Sequence, residues 1–418
     1  MAISRTSLIA LAGLLLLALF LAALPGTPDV NVWKMWVDGL NRLGFVEGFT
    51  AGEGHILQPP LGMLLLVLAH NVAPWIGLPA HVWPAAGLTT FDLSLWLALV
   101  ASAMAVIYVT RNAWLAVAFV AVFLLNGVVY GYFDIYCVPF WLLGMHAITE
   151  CRVGRAAFLM LVAVLIKWQF LVFVPFVGLY FFRGLFQPPR GARVIARRAV
   201  PYLPAVLLLT ATLLLLGRGS MLSLARGAAH DTLSGYAMNF GWILTWAMHV
   251  VWPESYGPLQ DGYIEVIRTQ DTRVLSLLKV LFLSTFALAL WRQWRSPSTP
   301  ENLWRFMLAG YLAYFLFNKG AHENHLVPTM LVAGYMAWRE TKWIPVAIIF
   351  VVLTNLNMYF FYGLDGVDRG DARVVWGMDW SLPLAVVYVG VVGLIYLNLL
   401  GLWMWLQGPQ GQQEAREL

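Results

Sequence analysis

FLMLVAVLIKWQFLVFVPFVGLYFF, residues 158–182, is the stretch on which the fold turns. It is apolar throughout except for Lys167 and Gln169 at its middle. A helix needs about 20 apolar residues to cross a hydrocarbon core of about 30 Å, so the stretch is long enough for one span. Read as one span, it puts the basic run Arg183–Arg198 on the non-cytoplasmic side, against the bias of short Lys- and Arg-rich loops toward the cytoplasm. Two half-membrane helices meeting at Lys167 remove the conflict, because broken helices are tolerated at depth where they line a cavity.

The pattern extends outward from there. Of 418 residues, 61% are hydrophobic and 11% charged, whereas soluble domains carry about a quarter charged residues. Apolar runs at Ser7–Leu24, Leu95–Thr110, Tyr202–Leu216 and Leu382–Leu406 are the plainest. Backbone polar groups cannot stay unpaired in lipid, so the runs must be helical. The expected class is all-α: a polytopic transmembrane helical bundle, one membrane domain over residues 1–418. Orientation by Lys and Arg gives twelve spans, near 7–24, 88–110, 113–133, 136–150, 156–167, 169–183, 199–217, 273–292, 303–318, 326–338, 344–361 and 381–405, with both termini cytoplasmic.

On this topology Leu61–Leu78 dips into the membrane without crossing. The segments 25–87, 218–272 and 363–380 face outward. The first holds an amphipathic helix over Asn31–Phe45, with Val32, Trp33, Trp36, Leu40 and Leu43 on one face and Lys34, Asp38 and Arg42 opposite, expected to lie in the interface. The net charge of +5 falls in short clusters between apolar runs, so it reads as topology and not as a nucleic-acid footprint. Cys137 and Cys151 are too few for a disulfide framework and flank one short span, which places them near opposite faces. Met1–Leu24 lacks a small-x-small cleavage site and reads as a retained first helix. No internal repeat is visible.

Ionisable groups in or beside spans are costly, which makes each a functional candidate. Five clusters stand out, all on the outer face of this topology. Asp29 opens Asp29-Val30-x-x-Trp33-x-x-Trp36-Val37-x-x-Leu40; a plain helix N-cap is the alternative role for the acid. Glu53 and His55 precede Gln58-Pro59-Pro60, where the prolines fix a loop entering a helix; both could equally be solvated loop residues. Asp134 ends Gly131-Tyr132-Phe133-Asp134, as a functional acid or as a helix-end carboxylate in the headgroup region. Lys167-Trp168-Gln169 lies inside apolar sequence with no acidic neighbour along the chain, so an anionic ligand is expected to satisfy Lys167; snorkelling is the alternative. Asn318-Lys319-Gly320-Ala321-His322-Glu323-Asn324-His325 lacks the His-Glu-x-x-His spacing of a zinc site and reads better as a cationic, hydrogen-bonding loop for a phosphate.

The order of these clusters resembles that in the GT-C membrane glycosyltransferases, most of all the bacterial relatives of the dolichol-phosphate-mannose-using enzymes of GPI-anchor and N-glycan assembly. The family pattern Asp-Ile-x-x-Phe-x-x-Trp-Ala-x-x-Leu is matched by Asp29 through Leu40. Its Asp-Tyr-Pro-Pro appears as Leu57-Gln58-Pro59-Pro60, without the acid, for which Glu53 is a possible substitute. Its Gly-Gln-x-Asp appears as Gly131-Tyr132-Phe133-Asp134, and its Lys-x-Gln as Lys167-Trp168-Gln169. An Asn-x-x-Trp-like segment recurs as Asn239-Phe240-Gly241-Trp242. The final Met-His-Glu-Arg-Tyr-Leu becomes Ala321-His322-Glu323-Asn324-His325-Leu326, and the change to Asn324 and His325 suggests a shifted specificity.

The resemblance covers residues 29 to 330. It implies inverting transfer of a hexose, mannose- or glucose-like, from a polyprenyl-phosphate donor to a hydroxyl of a glycan, lipid or protein, with the site on the non-cytoplasmic face of a bacterial inner membrane. Asp29 is then the expected base, with Asp134 and Glu53 as further catalytic carboxylates. Lys167, Gln169, Lys319 and His322 would hold the donor phosphate; Glu323, His325 and His55 would position them. Nothing in the motifs calls for a cofactor, and a divalent metal stays open. A transporter or lipid flippase, or a non-catalytic subunit of glycan assembly, is the competing class.

Overall fold

A computed structural model of the chain describes residues 4–402 apart from 52–55, 81–83, 190, 230–231, 258–265, 268–271, 365 and 367–370. Its helices run, in chain order, α1 (Arg5–Leu21), α2 (Asp29–Leu43), α3 (Phe45–Ala51), α4 (Pro60–Asn71), α5 (Ala73–Ile76), α6 (Thr90–Thr110), α7 (Ala113–Leu124) and α8 (Val138–Thr149). Then come α9 (Val153–Ile166), α10 (Val174–Leu185), α11 (Ala192–Ala199), α12 (Leu203–Ala228), α13 (Phe240–Val251) and α14 (Pro253–Tyr256). The last are α15 (Thr272–Arg295), α16 (Pro300–Phe317), α17 (Val327–Arg339), α18 (Ile344–Tyr362) and α19 (Ser381–Leu399). A small antiparallel hairpin pairs β1 (Val374–Val375) with β2 (Met378–Asp379).

Six of these stretches are long and apolar enough to cross a membrane by length and composition: Thr90–Thr110, Trp168–Leu185, Ala192–Ala228, Arg273–Arg295, Thr341–Tyr362 and Ser381–Leu399. Shorter apolar helices cover Arg5–Leu21, Pro60–Ile76, Ala113–Val129, Phe133–Thr149, Val153–Ile166 and Phe240–Val251. The protein is an all-α membrane bundle, and a helix stands at each position where the sequence calls for a span. The break at Lys167 is present too. α9 stops at Ile166, Lys167 is extended at φ −147°, and a 3-10 turn over Trp168–Phe173 leads into α10.

The chain divides into two compact units, with a boundary at Leu171–Val172 inside that 3-10 turn. The first holds Met1–Leu171, Pro188–Ala229 and Tyr362–Arg369; the second holds Val172–Gln187, His230–Phe361 and Gly370–Leu418. In the first, α8 and α9 form a hairpin, α4 packs on α9, and α12 packs on α3 and α9. Two approaches there are so close that only glycine fits. A Cβ on Gly219 would lie 2.3 Å from the Phe49 carbonyl oxygen, and one on Gly154 would lie 2.0 Å from that of Pro201. In the second unit α16 is the central helix, packed by α10, α13, α15, α17 and α19, and it buries Trp304, Tyr311, Phe315 and their neighbours along most of its length.

Two expectations need correction. The segment 218–272 is not a loop from its start, because α12 continues to Ala228, and α13 is an apolar helix within it. α2 buries Val30, Trp33, Trp36, Val37 and Leu40, whereas Val32 and Leu43 are exposed. Its buried stripe is therefore turned from the one drawn on the sequence, because α2 packs on protein. Trp33 sits edge-on to Phe91, Tyr132 and Phe133, and Asn41 and Asn71 exchange amide hydrogen bonds between α2 and α4.

Candidate functional site

In the first unit the site is built around Lys167. The backbone N–H of Lys167 still bonds Ala163 O, at 3.0 Å, and so closes the last turn of α9. Its extended ψ of 123° then ends the helix. Nζ lies 3.2 Å from Asp134 Oδ2, with the two side chains 4% and 2% exposed, and 4.2 Å above the ring of Phe133. The anion that satisfies Lys167 is thus Asp134 of the same chain, where the sequence pointed to a ligand. Buried charges that meet at hydrogen-bond distance compensate each other, and removing one strands the other.

Asp134 is presented by a tight corner. α7 ends in a π-turn over Leu125–Val129, and a 3-10 turn over Phe133–Cys137 leads into α8. Between them Gly131 takes φ +70°, and a Cβ there would lie 2.8 Å from Val30 Cγ2. The glycine of this motif is needed both for its left-handed backbone and for the approach of α2. Tyr132 donates its hydroxyl proton to the Tyr362 hydroxyl at 3.2 Å.

Asp29 is the first residue of α2, half-buried, with Pro28 in the capping position before it. An acid in this first turn faces the positive end of the helix dipole. The loop ahead of it is tied to the Gly131 corner, since Thr27 N–H donates to Tyr130 O at 3.0 Å. One turn on, Trp33 packs at 4.8 Å against Phe133, the neighbour of Asp134. The Pro59–Pro60 entry comes to the same place. Pro59 is extended, α4 starts at Pro60, and a Cβ on Gly62 would lie 2.3 Å from Ile166 O and 3.4 Å from the Phe133 ring.

A hydrogen-bonded relay closes the arrangement: Trp168 Nε1 donates to Ser223 Oγ at 3.0 Å, and Ser223 donates to Gln58 O at 2.8 Å. Ser223 is absent from the sequence reading, which ended this span at residue 217; a serine at the end of a leucine-rich helix gives no local signal. Gln169 is half-buried, and among the described residues its Oε1 has no hydrogen-bond partner. Glu53 and His55 lie outside the described residues.

The second unit carries the histidine loop. Gly320 turns the chain at φ +66°, and Asn318 Nδ2 donates to Lys319 O at 2.9 Å. Gly235 N–H donates to Ala321 O at 2.7 Å, so the loop pairs with the Gly235–Tyr236 segment. The His322 imidazole lies over Gly235, where a Cβ would meet Nδ1 at 2.5 Å. The same Nδ1 is 3.8 Å from Glu323 Oε2; the histidine side chain is 39% exposed, the glutamate 1%. His325 Nδ1 accepts the His322 backbone N–H at 3.0 Å and lies 3.2 Å from the Tyr314 hydroxyl. That acceptor role puts the proton of a neutral His325 on Nε2. His322 is therefore the imidazole on offer, with His325 bracing its backbone. Lys319 is half-exposed in the same loop.

Asn239 has a structural duty: its Oδ1 accepts Trp242 N–H at 3.0 Å as the cap of α13, and its Nδ2 donates to Phe315 O at 2.9 Å. Behind the loop, Arg373 stacks on Trp242 and Phe361 at 5.9 and 5.7 Å and pairs with Asp379 at 3.5 Å. The sequence reading did not single out Arg373.

Among the described residues no group of three or more His, Cys, Asp or Glu side chains is disposed to hold a metal ion. Asp29, Asp134, Lys167 and Gln169 belong to the first unit, and Lys319, His322, Glu323 and His325 to the second. No protein-family model matches the chain, and none of the curated proteins matches it.

Proposed function

We propose that the chain is an inverting glycosyltransferase of the GT-C kind, which moves a hexose from a polyprenyl-phosphate donor to an acceptor hydroxyl on the non-cytoplasmic face. One observation carries the reading. Four motifs far apart in sequence, Asp29 to Leu40, Pro59–Pro60, Gly131 to Asp134 and Lys167 to Gln169, meet in one unit through Trp33–Phe133, Gly62–Ile166 and Lys167–Asp134 contacts. The resemblance rests on their order alone, so their meeting is independent support.

In this reading the Asp29 carboxylate takes the acceptor's hydroxyl proton as the oxygen attacks the anomeric carbon, and the bond to the lipid phosphate breaks on the opposite face. The leaving phosphate remains anionic and needs fixed donors. In the first unit Gln169 is the donor on offer; Lys319 and His322, in the second, are the donors that the resemblance names. Lys167 serves the phosphate only in part, because Asp134 already holds its charge and keeps the ammonium oriented. Glu323 and His325 position His322.

The test is an assay of the purified full chain with polyprenyl-phosphate hexoses and a panel of acceptors, reading both transfer and the anomeric form of the product. Transfer with inversion that is lost in Asp29→Asn is the expected result. Retention of configuration, or full transfer by Asp29→Asn, sinks the mechanism.

One observation favours a transporter instead: a helix broken inside an apolar run, as at Lys167, is a device from which transporters build substrate sites. Protein-dependent movement of the lipid-linked sugar across vesicles, with no transfer to any acceptor, would select that reading.

A further inference from the structure

At one end of the second unit, where α16 and α18 begin and α17 and α19 end, lies a cavity of about 290 Å³. It is unrelated to the motifs above. Arg305, Arg339 and Lys342 line it, with Glu301 and Glu340. Lys342 is taken by Glu340, at 2.5 Å. Arg305 is half-buried and donates through Nε to the carbonyl of Leu399, closing the end of α19. Gly401, left-handed at φ +68°, lets that guanidinium in, since a Cβ there would stand 3.2 Å from its Nη2. Arg339 is exposed and stacks on Trp338 at 5.5 Å. Among the described residues no carboxylate lies within ion-pair distance of either arginine. Two guanidinium groups therefore share a cavity with one carboxylate, Glu301, that is not committed to Lys342.

Trp304 and Trp343 also line the cavity. Indoles with cations at the ends of apolar helices mark the level of lipid headgroups. On the orientation set by Lys and Arg this is the cytoplasmic end, where anionic lipids concentrate and basic pockets between helices receive them. A guanidinium matches a phosphate diester with two parallel N–H donors, which a hydrated ammonium does not.

We infer that this cavity binds the phosphate of an anionic phospholipid headgroup from the surrounding leaflet. The site is separate from the proposed sugar transfer, and its occupancy is read without any assay of that activity.

The experiment uses the full chain in neutral detergent and measures binding of phosphatidylglycerol and phosphatidylcholine by native mass spectrometry, with inorganic phosphate and glycerol phosphate as competitors. Phosphatidylglycerol should bind at least about 10-fold more tightly than phosphatidylcholine, and Arg339→Gln should erase about 5-fold of affinity, the scale of losing one cation at a membrane surface. The Arg339 side chain is exposed, so the variant keeps its fold; Arg339→Glu should act in the same direction and further. Arg193→Gln/Arg197→Gln, on α11 of the first unit, should leave the preference unchanged. Equal binding of the two lipids, or an equal loss in the α11 variant, overturns the site as general electrostatics. Displacement of the lipid by millimolar inorganic phosphate overturns the lipid as the occupant and makes a soluble phosphate the ligand.

Discussion

The two units carry their polar groups in opposite ways. In the first, Asp134 and Lys167 are almost wholly buried and meet each other across a break in a helix. In the second, His322 is over a third exposed and is held by backbone pairing to Gly235 and by His325 beneath it. A buried pair is a strong local constraint that a mutation can turn into a stranded charge. A braced loop with one exposed imidazole holds that ring through several weaker bonds, each worth about 1 kcal/mol, so loss of one leaves the rest. The first arrangement resists change as a unit; the second yields by degrees.

That contrast predicts a graded series of effects. The largest belongs to Lys167→Ala. Leaving Asp134 buried without its cation should cost about 3–5 kcal/mol, and the double variant Asp134→Asn/Lys167→Met should recover most of it. Thermal unfolding of the purified variants reads this directly. A Lys167→Ala protein as stable as wild type would mean that Asp134 and Lys167 are not the interdependent pair described here.

Next is Asp29→Asn, where the proposed chemistry and not the fold is at stake. The amide sits as comfortably in a first turn as the acid but cannot take a proton at neutral pH. Stability should be nearly unchanged, while turnover of a lipid-linked sugar falls by about 100-fold or more. If turnover is unaffected, the base lies elsewhere, with Glu53 and Asp134 the next carboxylates to replace.

Two glycine substitutions set the units directly against each other. Gly62→Ala drives a methyl into the carbonyl of Ile166, which is backbone and cannot step aside; a loss of about 1–3 kcal/mol is expected. Gly235→Ala drives it into the His322 ring, a side chain with room to swing outward. It should cost less stability than Gly62→Ala while displacing the imidazole, seen as a moved His322 signal in NMR or a raised donor KM. Equal stability losses at the two glycines would erase the distinction. The smallest effect belongs to Tyr314→Phe, which removes one hydroxyl from His325 Nδ1 and should cost about 0.5–1.5 kcal/mol in a thermal scan.

How much of this was legible depends on how local each cause is. The break at Lys167 was readable because a lysine inside an apolar run leaves few physical options. Its partner was not, because Asp134 lies beyond the intervening α8–α9 hairpin, and sequence shows neighbours along the chain only. The turned face of α2 failed for a related reason. Val32 and Leu43 share a helical stripe with Trp33, but which stripe is buried is decided by Phe91, Tyr132 and Phe133. α13 was missed because residues 218–272 were assigned to one side as a whole, which left its 12 apolar residues inside that segment. Ser223 was lost with the end of α12, where Gly217, Arg218 and Gly219 read as a stop although the helix continues through them.

That continuation ties the first unit to the thickness of its surroundings. α12 has 26 residues, about 39 Å of helix at 1.5 Å per residue, against a hydrocarbon layer of about 30 Å. It exposes Leu207, Leu213, Leu214 and Leu215, so much of its apolar surface faces lipid. A rod longer than its slab must lean or let its last turns stand proud, and the angle it takes follows the slab. Ser223 rides on those last turns and grips both Gln58 and Trp168. Membrane thickness therefore bears on the end of α12 that carries Ser223, the residue that holds the loop before α4 and Trp168, the neighbour of Lys167.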